Sequence, residues 1–247
     1  MTRLSGKTAV VTGGGRGLGS AIVSALAAEG AHVLVVDRNS EAAAEMVAQI
    51  KVSGGSASAE TLDIGDRDAV TAFGGRLLEQ YGKIDVLVNN AGIAPRIRPS
   101  DPDQMEKWDQ VIKVNLTGQW DITVALLPAL QHAGASVIFV SSIAGFTAPR
   151  SSAAYGVTKA GVLSLVQYFA RTLGPTGGRA NALAPGRMKS DLMTVTGAAG
   201  EKFLQRVPLG RVGETAEIAG PAVFLASDMS SYVTGVTIPV DGGYLAL

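Results

Sequence analysis

Seven short runs rich in β-branched and small apolar residues recur along the chain, each separated from the next by a longer segment. They cover 7–12 (KTAVVT), 31–37 (AHVLVVD), 56–63, 84–89 (IDVLVN), 136–141 (SVIFVS), 179–183 and 236–240. Most are apolar at successive positions rather than alternate ones, which describes strands covered on both faces. Between them, 17–29, 40–53, 66–81, 103–132 and 152–173 carry helical spacing, with Gly30 stopping the first and 103–132 reading as one long helix. Strands alternating with helices imply parallel βαβ units. The expected fold class is therefore α/β, a three-layer αβα, doubly wound parallel sheet. No Pro/Ser linker, repeat or low-complexity tract interrupts the 247 residues, so 1–247 reads as a single domain. The stretch 187–208 is polar, holds Gly197 and Gly200, and breaks the strand–helix rhythm. An insertion there is expected to act as a substrate lid.

Composition narrows the function classes. With 21 basic and 21 acidic side chains there is no basic excess for a nucleic-acid partner. Cysteine is absent, which excludes a disulfide framework, a thiolate zinc site and a cysteine nucleophile. His32 and His132 lie far apart without ligand spacing, so no metal site is expected. The N-terminus enters a short strand with no secretory pattern, and no apolar stretch has the length of a membrane span. A soluble, cytosolic protein with no membrane partner is the expectation.

Four features carry chemistry. The turn Thr12-Gly13-Gly14-Gly15-Arg16-Gly17-Leu18-Gly19 follows the first strand and opens a helix. Glycines let that backbone turn sharply and approach a pyrophosphate, and the helix N-terminus offers free N–H groups. Glycine richness alone would serve a tight connection equally well; the strand–turn–helix context favours binding. Asp37 ends the second strand, where a carboxylate can accept from both hydroxyls of an adenosine ribose and repel a 2′-phosphate. That favours NAD over NADP, although Arg38 next door can receive a phosphate. Tyr155 and Lys159 share a helix face at a spacing of four. Spacing alone also fits an exposed pair. A nearby ammonium would draw the phenol, which ionises near ~10 when free, toward a usable acid/base. Ser141 and Ser142 end the fifth strand at the sheet edge where such folds bind ligands.

Taken together, TGGGRGLG at 12–19, NNAG at 89–92, Asn115, Ser142, YGVTK at 155–159, PG at 185–186 and the closing stretch from 208 to 243 are similar, in order and spacing, to the short-chain dehydrogenase/reductase family. The resemblance covers essentially the whole chain and implies a Rossmann-type fold. It implies Tyr155 as general acid/base, Ser142 as the group that orients the substrate oxygen, and Lys159 as the residue that lowers the tyrosine pKa and holds the nicotinamide ribose. Asn115, within the long helix, would anchor a water linking Lys159 to solvent. For the cofactor, it implies Gly13, Gly17, Leu18 and Gly19 at the pyrophosphate, Asp37 at the ribose and Asp63 at the adenine edge. Asn89, Ala91 and Gly92 would lie along the dinucleotide. Pro185, Gly186, Met188 and Ser190 would flank the nicotinamide. Ser190 stands where the family usually has threonine. Gly178 and Ala180 replace bulkier apolar residues before Asn181, which should loosen local packing by ~1–3 kcal/mol.

The expected reaction is hydride transfer between NAD and a secondary alcohol or its ketone: a small-molecule sugar, polyol or hydroxy acid. The alternatives are an NADPH-dependent 3-oxoacyl-thioester reductase, against which Asp37 argues, and a non-catalytic nucleotide-binding sensor, against which the full set of Ser142, Tyr155, Lys159 and Asn115 argues. Arg96, Arg98, Arg150, Arg187 and Lys189 fall in the segments expected around the pocket mouth. They suggest an anionic group on the substrate, clamped by Arg96, Arg150 or Arg187, although each could equally be a solvated loop arginine. The resemblance also implies a homotetramer that buries helices 103–132 and 152–173 and the last strand. The apolar terminus Tyr244–Leu247 fits a subunit contact or a fold-back onto its own core.

Overall fold

A computed structural model describes residues 2–147, 152–189 and 198–246. Its strands are β1 (Thr8–Thr12), β2 (His32–Asp37), β3 (Ser56–Thr61), β4 (Val86–Asn89), β5 (Ser136–Val140), β6 (Arg179–Pro185) and β7 (Thr237–Val240). They form one sheet in the order β3-β2-β1-β4-β5-β6-β7, with every pairing parallel. The helices are α1 (Gly17–Ala28), α2 (Ser40–Val52), α3 (Arg67–Tyr81), α4 (Gln104–Ile112), α5 (Gln119–Leu130), α6 (Ala153–Leu173), α7 (Ala198–Leu204) and α8 (Ala219–Ala226).

Alternation along each strand separates two cores. Val33, Val35, Val86, Val88, Ile138 and Val140 join residues of α1, α2 and α8 on one face. Leu34, Val36, Leu87, Val137 and Phe139 join residues of α3, α5 and α6 on the other. This is the expected three-layer, doubly wound arrangement. Strand order reverses between β1 and β4, so the crevice at their carboxyl ends is the natural ligand position in such a sheet.

Two expectations are corrected. The stretch 103–132 is not one continuous α-helix. It is α4, a π-helical segment Lys113–Gly118, and α5. The wider turn falls on Asn115, and such interruptions concentrate at functional sites. Nor is packing slack at Gly178: a Cβ there would stand 3.1 Å from Leu173 Cβ and 3.6 Å from Ala135 Cβ, so the position has no cavity to fill. Ala180 is likewise fully buried in the second core.

Sequence reading also passed over α8 and the guanidinium that holds its end. Arg179 is buried and donates to Leu225 O, Ser227 O and Ser230 Oγ at the C-terminus of α8. The helix dipole favours a cation there, and those acceptors stand in for a carboxylate partner.

Candidate active site

The glycine turn is built by its neighbours. Thr12 Oγ1 donates to Val88 O and accepts from the N–H groups of Asn90 and Ala91, at 3.1 Å each. Asn90 returns its Nδ2 to Thr12 O at 3.0 Å and to Gly13 O at 2.9 Å. Gly13 has φ +60°, and a Cβ there would stand 2.9 Å from Ala91 Cα. A Cβ on Gly19 would stand 2.0 Å from Gly13 O, so only glycine is possible at 19. α1 starts after Arg16 with no side-chain cap, leaving its first-turn N–H groups available to an anion.

These elements enclose a cleft of about 650 Å³ over the carboxyl ends of β1 to β4. Of the residues expected along the dinucleotide, Gly13, Leu18, Asp37, Asp63, Ala91 and Gly92 line it. Asp37 bridges two segments, accepting from Gly15 N at 3.1 Å and from Asn39 N at 3.0 Å. Arg16 and Arg38 line the same end of the cleft. Asn89 departs from expectation. Its side chain is fully buried and donates to Thr123 Oγ1, toward α5, while Asn90, which sequence reading passed over, lines the cleft.

Beyond Gly92 the cleft meets the four residues expected to be catalytic. A Cβ on Gly92 would stand 3.3 Å from Asn115 Oδ1 and 3.7 Å from Lys159 Nζ. Asn115 is buried and clasps Ile93 from both sides, accepting from its N–H and donating to its carbonyl, at 2.8 Å each. Lys159 is also buried, donates Nζ to Val140 O at 2.7 Å, and lies 5.6 Å from the centre of the Tyr155 ring. The two serines divide their work. Ser141 Oγ donates to Lys159 O at 2.8 Å and ties β5 to α6, while Ser142 Oγ accepts from Ala144 N at 3.1 Å and stands beside the Tyr155 phenol. Burial raises the phenol above its ordinary value and the Ser142 hydroxyl pulls it back down. Burial lowers Lys159 to about 8.

At the other end of the sheet, β6 delivers Pro185, and Gly186 N donates to Val240 O at 3.0 Å. Met188 pairs with Gly213 in a short parallel bridge. Ser190 and Arg150 lie outside the described residues. Of the expected lid 187–208, residues 198–204 form α7, and 190–197 lie outside the described residues.

Arg187 stacks 4.5 Å over the Phe203 ring, Phe203 stacks on Tyr244 at 4.8 Å, and Arg206 caps Tyr244 at 4.5 Å. Tyr244 therefore stacks on its own chain, outside both cores; Leu247 lies outside the described residues. Lys189 is paired with Glu214. Arg96 and Arg98 are exposed on the segment after β4, and no described contact gathers them with Arg187.

A family model described as enoyl-(acyl carrier protein) reductase matches residues 13–245. A 3-oxoacyl-[acyl-carrier-protein] reductase of Thermotoga maritima is 37% identical, covering 98% of each chain. An L-rhamnose 1-dehydrogenase (NAD(P)(+)) of Azotobacter vinelandii is 39% identical, covering 96% of each. The solved structure of levodione reductase superposes with a TM-score of 0.91 at 31% identity, covering 99% of each chain. The chain belongs to the short-chain dehydrogenase/reductase family. As a member it is an oxidoreductase of alcohol or ketone substrates that uses a nicotinamide dinucleotide. Among the described residues, no group of His, Asp or Glu could hold a metal ion, and no helix is long and apolar enough to cross a membrane.

Proposed function

We propose that this oxidoreductase uses NAD to interconvert a secondary alcohol and its ketone, with a sugar, polyol or hydroxy acid as substrate and Tyr155 as general acid/base. The observation that carries the reading is buried Lys159, 5.6 Å from the centre of the Tyr155 ring with Ser142 beside the phenol, at the end of a cleft that holds Asp37. The cleft fits a dinucleotide: the turn at 13–19 accepts no Cβ at 19, and the uncapped start of α1 can receive a pyrophosphate. Val36, Leu62 and Ile64 give apolar walls for a base, with Asp63 at its edge.

When bound, the nicotinamide supplies the hydride acceptor in oxidation and the donor in reduction. Tyr155 Oη takes the hydroxyl proton of the alcohol in oxidation and returns it in reduction. Ser142 Oγ holds the same substrate oxygen in line. Lys159, charged below about 8, supports the phenolate and reaches the ribose. Asn115 keeps Ile93, and with it the 91–93 loop, in place behind Lys159. Gly186, Met188 and Ser190 complete the nicotinamide side.

The proposal extends to an anionic substrate group held by Arg187, Arg96 or Arg150. Arg187 supports it best: its guanidinium rests on an aromatic ring with no carboxylate partner among the described residues. The proposed assembly is a homotetramer, supported by exposed Val124 on α5 and by Val157 and Tyr168 on α6. A tetrameric mass by light scattering is expected; a monomer would exclude it.

A second reading, an NADPH-dependent 3-oxoacyl-thioester reductase, is favoured by Arg16 and Arg38 beside Asp37, two guanidiniums that could receive a 2′-phosphate. Absorbance assays with NAD and NADP in parallel separate the two. The panel holds sugars, polyols, hydroxy acids with their neutral analogues, and a 3-hydroxyacyl thioester. Turnover with NAD on an acid, a rise in KM for that acid in Arg187→Ala, and loss of NAD preference in Asp37→Ala are the expected results. Turnover mainly with NADP on the thioester would replace the first reading with the second.

A further inference from the structure

The loop that floors the cofactor cleft is held from behind by two side chains of one helical stretch. Asn115 clasps Ile93. Gln119 follows four residues later across the π turn, fully buried, and donates Nε2 to Ala91 O at 3.2 Å. The Gln119 carbonyl accepts from Thr123 Oγ1 at 2.7 Å, and that oxygen accepts from Asn89 Nδ2 at 2.9 Å. Ala91 lines the cleft and lies against Gly13, where a Cβ would meet it at 2.9 Å; Gln119 itself does not reach the cleft. A shift of Ala91 is therefore transmitted directly to the glycine turn.

Gln119 is costly where it stands. Its Oε1 is buried with no hydrogen-bond partner among the described residues, and so is Asn89 Oδ1. Leucine would fill a similar volume without burying an unpartnered carbonyl, so stability alone does not call for glutamine. What leucine cannot do is donate to Ala91 O.

We propose that Gln119 is a positioning residue for the dinucleotide: by holding Ala91 O it fixes the 91–93 loop against Gly13 and so sets the shape of the cleft. The inference rests on the cleft being the dinucleotide site, as read above.

The test is direct titration of NADH by fluorescence, with thermal melting alongside. Gln119→Leu is expected to bind NADH about tenfold more weakly, the cost of one half-buried carbonyl left without its donor. Its Tm should stay within ~4 °C of the parent, and substrate KM at saturating dinucleotide should not change. Gln119→Glu should be as weak at pH 8, where the carboxylate cannot donate, and should regain affinity as the pH falls and a proton returns. That recovery is not expected of a purely structural residue. NADH affinity in Gln119→Leu equal to the parent's, or Gln119→Glu affinity that does not change with pH, would overturn the proposal. Gly19→Val serves as the control. If it loses NADH while Gln119→Leu does not, the positioning role fails and the cleft reading stands; if it binds normally, the cleft reading itself fails.

Discussion

The two ends of the sheet's carboxyl edge are held by different forces. Over β1 to β4, the cleft is fixed by short hydrogen bonds from buried or half-buried groups: Thr12 and Asn90 on the glycine turn, Asn115 on Ile93, Gln119 on Ala91. Over β6 and β7, the segment after Pro185 is held by stacking and by exposed ion pairs: Arg187 on Phe203, Phe203 on Tyr244, Lys189 with Glu214, Arg211 with Glu217. Buried hydrogen bonds specify one geometry, because breaking any of them strands a polar group. Stacks and surface pairs are each worth on the order of 1 kcal/mol or less and tolerate sliding. A rigid half suits a ligand that never varies, and a yielding half suits the substrate.

Substitutions can be ranked against that contrast. The largest effect belongs to Tyr155→Phe, which leaves the packing of α6 intact and removes the proton carrier. Its kcat/KM is expected to fall by ~10²–10⁴-fold with NADH binding retained; a loss under tenfold would remove Tyr155 from the chemistry.

Lys159→Met comes next and should separate activity from stability. The folded state lowers Lys159 from 10.5 to about 8, so burying the ammonium costs on the order of 3 kcal/mol. Below pH 8 both folded and unfolded lysine are charged and that cost is present in full. Between about 8 and 10.5 the unfolded chain binds the extra proton, so parent stability rises with pH. Lys159→Met should therefore lose activity yet melt higher than the parent at pH 7, by roughly 1–2 kcal/mol, less than the full burial cost because Val140 O then lacks its donor. The gap should narrow as pH rises through this window. Melting curves at pH 7 and 10 check it, and a variant less stable at pH 7 would contradict the burial argument.

The smallest effect probes the yielding half. Phe203→Ala removes the ring between Arg187 and Tyr244 and should cost only ~1 kcal/mol of stability. Substrate KM should rise several-fold while NADH affinity stays at the parent value. An equal loss in both would mean that the two ends are coupled and the contrast is false.

The same contrast explains what the sequence discloses. The strands, their parallel order and the glycine turn follow from hydrophobic runs and local backbone demands, both written residue by residue. The offset between Asn89 and Asn90 was missed because neighbouring strand residues point to opposite faces, and only the strand's end decides which one meets the cleft. The π turn was missed because apolar spacing continues across it. Gln119 did leave a trace: with Thr123 it puts polar side chains beside the buried stripe of Ile122, Leu126 and Leu130, and buried polar side chains need hydrogen-bond partners elsewhere in the fold. The α7–Tyr244 stack left none, since its partners are some forty residues apart and join by contacts that many aromatic and basic pairs could make.

The π turn also makes the chain's length matter at one point. It holds a residue more than an α-helix needs, and each residue turns a helix by about 100°. The π segment turns less per residue, so its surplus residue is absorbed and the helices on either side stay in phase. Deleting one residue between 113 and 118 would therefore heal the helix with Ile122 and Leu126 still in the core and Val124 still facing outward. What would be lost is local, the bulge that presents Asn115 to Ile93, so such a deletion should spare the fold and disable the cleft.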